Sequence, residues 1–284
     1  MTALGIDIGG SSVKAAAMDS GGHWKVASSD PYTSADRAGI QGAIRSCINA
    51  LEVSKPASVG LCLPGRMNPE QSAIEFSVNL PVLNNWRFED LIGSVLDGSP
   101  DRLRVVSDAA AAGYDFATHA PIEGRTAGIS IGTGVGLCVL DRDAMVSIGN
   151  KGIGHLGLMD MGRIGNADRV DPCGAVNTLE SFVGAASLES WMGDSGLNLD
   201  SLTATEPPMV ALVRALRVVH AIYLPERIAL LGGVGLALRS QLQTIKTLVD
   251  DGLTPLACQG WTIDSGTTTH HAARGAAKLG AQSD

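Results

Sequence analysis

The chain has 284 residues, 45% of them hydrophobic and only 4% aromatic, with a formal net charge of −8. That is length enough for two lobes, each with a core of its own. The acidic balance, with no basic cluster, argues against nucleic acid as a partner, and no run approaches the roughly 20 apolar residues of a membrane span.

The first predicted strand covers residues 5–8, where Ile6 and Ile8 flank Asp7. Gly9-Gly10-Ser11-Ser12 is a tight turn and residues 13–18 form a second strand, so the chain opens on a hairpin. Glycines in such a turn let backbone N–H groups converge, with no Cβ to block an anion. A phosphate needs donors and its Mg²⁺ needs oxygen ligands. The turn and Asp7 offer both, although an ordinary glycine hairpin would read the same way.

A third strand is predicted over residues 23–26. A helix follows over 35–52, with Ile40, Ile44, Ile48 and Leu51 on one face. Residues 57–63 are a buried strand ending at the turn pair Pro64-Gly65, and 68–79 are polar and loop-like. A short helix over 88–96 and a strand over 103–106, closed by Ser107, lead to an alanine-rich helix over 108–117. The first half therefore reads βββαβαβα.

The opening pattern then returns. Gly128-Ile129-Ser130-Ile131-Gly132-Thr133-Gly134-Val135-Gly136 repeats the first strand and turn at an offset of 128 − 5 = 123 residues. Self-similarity at that distance indicates duplicated lobes, and two phosphate-type hairpins suggest one nucleotide held in a cleft between them. Neither turn is a Walker loop, since no Gly-Lys-Ser/Thr follows. Nor is Gly132-x-Gly134-x-Gly136 a dinucleotide fingerprint, because Leu137 fills the last glycine position and a strand follows.

Residues 143–184 are rich in Gly, Asp and Asn and read as an inserted loop region bearing substrate or metal contacts. Helices are predicted over 187–192 and 208–220, and a strand over 228–231. Gly232-Gly233-Val234-Gly235 then reads as a turn before a helix over 236–248. Gly275-Ala276-Ala277-Lys278-Leu279 lies in a last helix whose small residues permit close packing. The five cysteines (Cys47, Cys62, Cys138, Cys173, Cys258) follow no regular spacing and read as mostly small core residues in a reducing compartment. The start, Met1-Thr2-Ala3-Leu4, runs straight into the first strand; neither a signal peptide nor a helix-turn-helix segment is expected ahead of it.

Taken together and in order, these stretches resemble the ROK family of sugar kinases, within the actin-like ATPase superfamily. Gly5 to Lys14 resembles the first phosphate motif, Ser107-Asp108-Ala109 the family's Asn-Asp-Ala catalytic stretch, and Gly128 to Gly136 the second phosphate motif. Leu230-Leu231-Gly232-Gly233-Val234, preceded by Pro225-Glu226, resembles the adenosine motif. Gly154-His155, Leu179-Glu180, Pro64-Gly65 and Asn79-Leu80 with Trp86 are weaker matches.

The resemblance implies an α/β, two-lobed actin-like fold of duplicated ribonuclease-H-like domains. Residues 1–110 would form the first lobe, with a final helix over 270–284 packing back on it, and 111–269 the second. It implies ATP- and Mg²⁺-dependent phosphorylation of a hydroxyl on a sugar or sugar-like polyol, by a cytoplasmic homodimer. Asp108 would be the general base and Asp7 would orient Mg²⁺ through water. Gly9, Gly10, Ser11, Ser12, Lys14, Gly132, Thr133 and Gly134 would hold the phosphates. Gly232 and Gly233 would face the adenosine, and Asn79, Ser107, Asp108, His155 and Glu180 the sugar. Each has a plain reading too: Ser107 as a helix N-cap, Asp108 as a first-turn carboxylate, Lys14 as a solvated edge charge.

Three departures stand out. Lys14 is two residues beyond the family's usual lysine, where Ser12 sits. The family's zinc motif, Cys-x-Cys-Gly-x-x-Gly-Cys-x-Glu, falls on Asp171-Pro172-Cys173-Gly174-Ala175-Val176-Asn177-Thr178-Leu179-Glu180, so only Cys173 of its thiols survives and no zinc is expected. The family's sugar-reading Glu falls on Gly152, and the Asn residues flanking its catalytic Asp fall on Ser107 and Ala110. A ligand-binding regulator, or a degenerate kinase of the same fold without turnover, is the rival expectation.

Overall fold

The computed structural model describes residues 2–32, 35–78, 80–148, 152–171, 173–193 and 198–282. The chain divides into two compact units, residues 1–115 with 270–284, and residues 116–269.

The first unit is built on a five-stranded sheet. Its strands are β1 (Ala3–Ile8), β2 (Val13–Met18), β3 (Trp24–Ser28), β4 (Ser58–Cys62) and, after the small β5 (Arg66–Met67) and β6 (Ile74–Phe76) pair, β7 (Arg102–Val106). Their order across the sheet is β3-β2-β1-β4-β7. β1 pairs antiparallel with β2, whereas β1, β4 and β7 run parallel. Helix α1 (Arg37–Leu51) starts where the Asp36 carboxylate accepts the Gly39 N–H, and it buries the predicted isoleucine face. α2 (Phe88–Gly93) and α3 (Asp108–His119) follow in chain order. The polar stretch 68–79 is not all loop: the Asn68 side chain accepts from Ser72 and Ala73 N–H, and that turn lets β6 fold back on β5.

The second unit repeats the plan. β8 (Arg125–Ile131), β9 (Val135–Asp141), β10 (Ala144–Met145), β11 (Arg227–Leu231) and β12 (Thr262–Ser265) lie in the order β10-β9-β8-β11-β12, strand for strand the order of the first sheet. β8 and β9 are antiparallel; β8, β11 and β12 are parallel. The helices are α4 (Leu179–Val183), α5 (Ala185–Met192), α6 (Pro207–Tyr223), α7 (Gly232–Ala237) and α8 (Leu242–Asp250), and α9 (His271–Ala281) belongs to the first unit. Among the described residues no helix is long and apolar enough to cross a membrane.

Several sequence expectations are corrected here. β12 was not anticipated. The region 143–184 contains α4. Gly232 to Gly235 are not a free turn but lie inside α7, which begins directly at the end of β11. A methyl at Gly232 would overlap the Ile131 backbone, and one at Gly235 would come within 2.6 Å of the Leu230 carbonyl carbon, so the helix can start this tightly only with glycine. The helix expected over 236–248 is two, α7 and α8, separated by a 3₁₀ turn at Arg239–Gln241.

Candidate active site

Asp7, the one residue of β1 that is not fully buried, has Lys14 on β2 and Cys62 on β4 as its register partners. Cys62 in turn is level with Val106 on β7, two residues before Asp108 at the first turn of α3. The parallel strands thus bring Asp7 and Asp108 to one edge of the sheet, at its carboxyl ends, where ligands of open α/β sheets gather. Burial, and next the Asp108 charge, push the Asp7 carboxyl up to about 7, while Lys14 pulls it down. Buried Cys62 lies close to both carboxylates: burial first, then Asp7 and Asp108, raise its thiol well above its ordinary value. A carboxylate whose ionisation is opposed by burial and by a neighbouring carboxylate is one that a cation would stabilise, and hard oxygen donors suit Mg²⁺.

The first glycine turn is closed by the Gly9 N–H donating to Ser12 O at 3.0 Å. Ser11 is exposed, and Gly10 and Ser12 are half-buried. Tyr32, which the sequence reading overlooked, braces this turn twice: its N–H donates to Ser11 O at 2.8 Å and its hydroxyl to Gly9 O at 3.2 Å. At α3, the Ser107 hydroxyl accepts the Ala110 N–H and Asp108 Oδ1 accepts the Ala109 N–H, so Ser107 does act as N-cap. Asp108 remains exposed.

In the second unit the Gly132 N–H donates to Gly134 O, and Ala185 N–H to Gly132 O. A Cβ at Gly132 or Gly233 would meet nothing within 4 Å, so both leave open backbone of the kind a phosphate or nucleoside can approach. Glu180 is buried, and its Oε2 accepts the Val135 N–H at 3.0 Å, directly behind the turn carrying Thr133 and Gly134. His155 is exposed, next to the 3₁₀ turn Leu156–Leu158. Gly152 has φ +66°, a conformation that a side-chain-bearing residue there would find strained. Asn79 lies outside the described residues. Among the described residues no group of three or more His, Cys, Asp or Glu could hold a metal.

The ROK family profile matches residues 3–283, and the chain belongs to the ROK family. Its fold is the actin-like α/β fold of that family. A ROK family glucokinase from Streptomyces griseus, solved with glucose and AMPPNP, is 19% identical with a TM-score of 0.75, over 99% of both chains. The ROK hexokinase from Thermus thermophilus is 20% identical with a TM-score of 0.66, over 98% of this chain and 97% of its own. A ROK family transcriptional regulator, described as a homologue of the E. coli MLC protein, is 16% identical with a TM-score of 0.69, over 98% of this chain and 78% of its own. No curated protein matches the chain.

Proposed function

We propose that this chain is an ATP-dependent carbohydrate kinase, transferring the terminal phosphoryl group of ATP to a hydroxyl of a sugar or sugar-like polyol. The observation that carries the reading is the pairing of Asp7 and Asp108 at the carboxyl ends of the strands, beside the glycine turn between β1 and β2. Support comes also from the family, whose structural relatives include sugar kinases.

Asp108 accepts the proton of the acceptor hydroxyl as the P–O bond forms. Asp7 would hold Mg²⁺ through water, and the ion when bound would supply charge neutralisation for the phosphates. The turns Gly9-Gly10-Ser11-Ser12 and Gly132-Thr133-Gly134 present N–H groups to phosphate oxygens, with Lys14, level with Asp7, adding positive charge. Gly232 and Gly233 leave room for adenosine against backbone. Ser107, Asp108, His155, Glu180 and Asn79 form the acceptor side. We place the enzyme in the cytoplasm as a homodimer. Because phosphoryl transfer asks mainly for positioning and charge stabilisation, one base, one metal and two backbone cradles suffice.

The regulator reading has one observation behind it, the likeness to the MLC homologue. A regulator has no need of a base at Asp108, so the test is Asp108→Asn: ATP binding should persist while turnover falls.

A further inference from the structure

The family resemblance implies a structural zinc at residues 171–178, and the donor set here does not fit one. A closed zinc site takes four N, S or O ligands. Both oxygens of Asp171 are already engaged: Oδ1 accepts from the Cys173 and Ala175 N–H groups at 2.8 and 3.0 Å, and Oδ2 accepts the Thr178 hydroxyl at 2.8 Å. Thr178 has no thiolate to give, and Cys173 is exposed.

The same contacts run on without a break. The Thr178 hydroxyl also accepts the Ser181 N–H at 3.2 Å, which caps α4. α4 carries Glu180, whose Oε2 accepts the Val135 N–H. A methyl at Gly134 or at Gly157 would come within 2.8 Å of that oxygen, so the glycines on both sides are shaped to the carboxylate. Asp171 is 4%, Thr178 6% and Glu180 6% exposed. Hydrogen bonds to a carboxylate are the strong ones, and breaking one here would strand a buried acceptor.

We propose that Asp171 and Thr178 form a hydrogen-bonded clasp that does the structural work of the metal, and that through α4 it seats Glu180 behind the second glycine turn. Asp171, Thr178 and Glu180 are then positioning residues for that turn.

The test is hydrogen exchange on the full chain, with and without a chelator, for wild type, Thr178→Val and Thr178→Ser. Thr178→Val should speed exchange in residues 173–181 and also in 132–136 by about tenfold or more, as local opening becomes easier. Thr178→Ser keeps the hydroxyl and should stay within about twofold of wild type, and β1–β2 should not change in either. If Thr178→Val does not fold, Asp171→Asn must open the same two segments. Unchanged protection of 132–136 in the hydroxyl-free variant would overturn the positioning role. One zinc per purified chain, or faster exchange of wild type in chelator, would overturn the clasp itself. A kinetic arm rests on the proposed kinase function: because Glu180 stands both behind the phosphate turn and on the proposed acceptor side, Thr178→Val should raise KM for ATP and KM for the acceptor together. A chain without turnover would remove that arm and leave the exchange result standing.

Discussion

Asp7 keeps its proton to near neutrality because burial and the Asp108 charge both oppose its ionisation. In metal-free protein this makes a stability signature. The unfolded chain releases the proton near 3.8 and the native chain near 7, so the native state binds more protons in that window. Stability therefore falls as pH rises from about 4 to 7 and levels off above, by an amount on the order of 2–4 kcal/mol. Asp7→Asn removes the effect: in chelator it should be more stable than wild type at pH 8, with the gap closing by pH 4. Urea unfolding at both pH values reads this, and a gap independent of pH would contradict the assignment. Asp108→Asn should leave fold and ATP affinity in place and lower kcat by roughly 10²–10⁴. A plain first-turn carboxylate would instead cost about 1 kcal/mol or less of stability with near-normal turnover.

At the scale of elements, α9 is held to the first unit by shape and by charge. A methyl at Gly5 would overlap the Ala273 backbone, one at Gly60 that of Ala276, and one at Gly275 that of Ala111. Asp115 on α3, fully buried, meets an imidazole and two cations from one face of α9: His271 Nδ1 at 2.7 Å, Lys278 Nζ at 2.7 Å and Arg274 Nε at 3.4 Å. Burial alone would raise the Asp115 carboxyl; the His271 and Lys278 hydrogen bonds, with the Lys278 and Arg274 charges, hold it below its ordinary value. Arg102 and Arg104 on β7 donate to the carbonyls of Ala281 and Leu279 at the other end of α9. Asp115→Ala leaves Lys278 and Arg274 facing a cavity without their carboxylate and should cost about 3–5 kcal/mol, whereas Gly60→Ala acts through overlap and should cost about 1–3 kcal/mol. Thermal unfolding of both variants checks this, and near-wild-type melting of Asp115→Ala would sink the staple. The small residues of α9 were legible in the sequence as a close-packing helix; the charge staple was not, because His271, Arg274 and Lys278 look like a solvated stripe until α3 covers them. β12 escaped for a related reason: Thr262-Ile263-Asp264-Ser265 is a short edge strand with one apolar residue, defined by its pairing with β11 and not by its pattern. The hairpins at Gly9 and Gly132 were legible because glycine turns between apolar strands are local features, whereas the Tyr32 brace spans residues far apart in sequence.

For the whole molecule, two sheets with the same strand order give two glycine turns of the same kind, one in each unit. That duplication underlies the proposed use of one turn from each for phosphate. The proposed acceptor side departs further from the family pattern that the sequence resembles. Gly152 offers no side chain, and Ser107 is already occupied in capping α3. A hydroxyl left unpaired in a closed site costs about 1–3 kcal/mol, so two such losses should lower kcat/KM for glucose and N-acetylglucosamine by roughly 10²–10⁴. The preferred acceptor should be bulkier, or lack a hydroxyl, on the side that faces Gly152. A kcat/KM for glucose near roughly 10⁵ M⁻¹s⁻¹ would show an unaltered sugar subsite. Phosphoryl transfer to a sugar hydroxyl is tested most directly by incubating the chain with ATP, Mg²⁺ and a panel of sugars and polyols, and following ADP and the mass of each acceptor. At least one acceptor should be converted to its monophosphate, one for each ADP formed, with turnover stopped by EDTA, restored by Mg²⁺ and lost in Asp108→Asn. A chain that binds ATP yet phosphorylates no member of the panel, or one whose turnover survives Asp108→Asn, would contradict it.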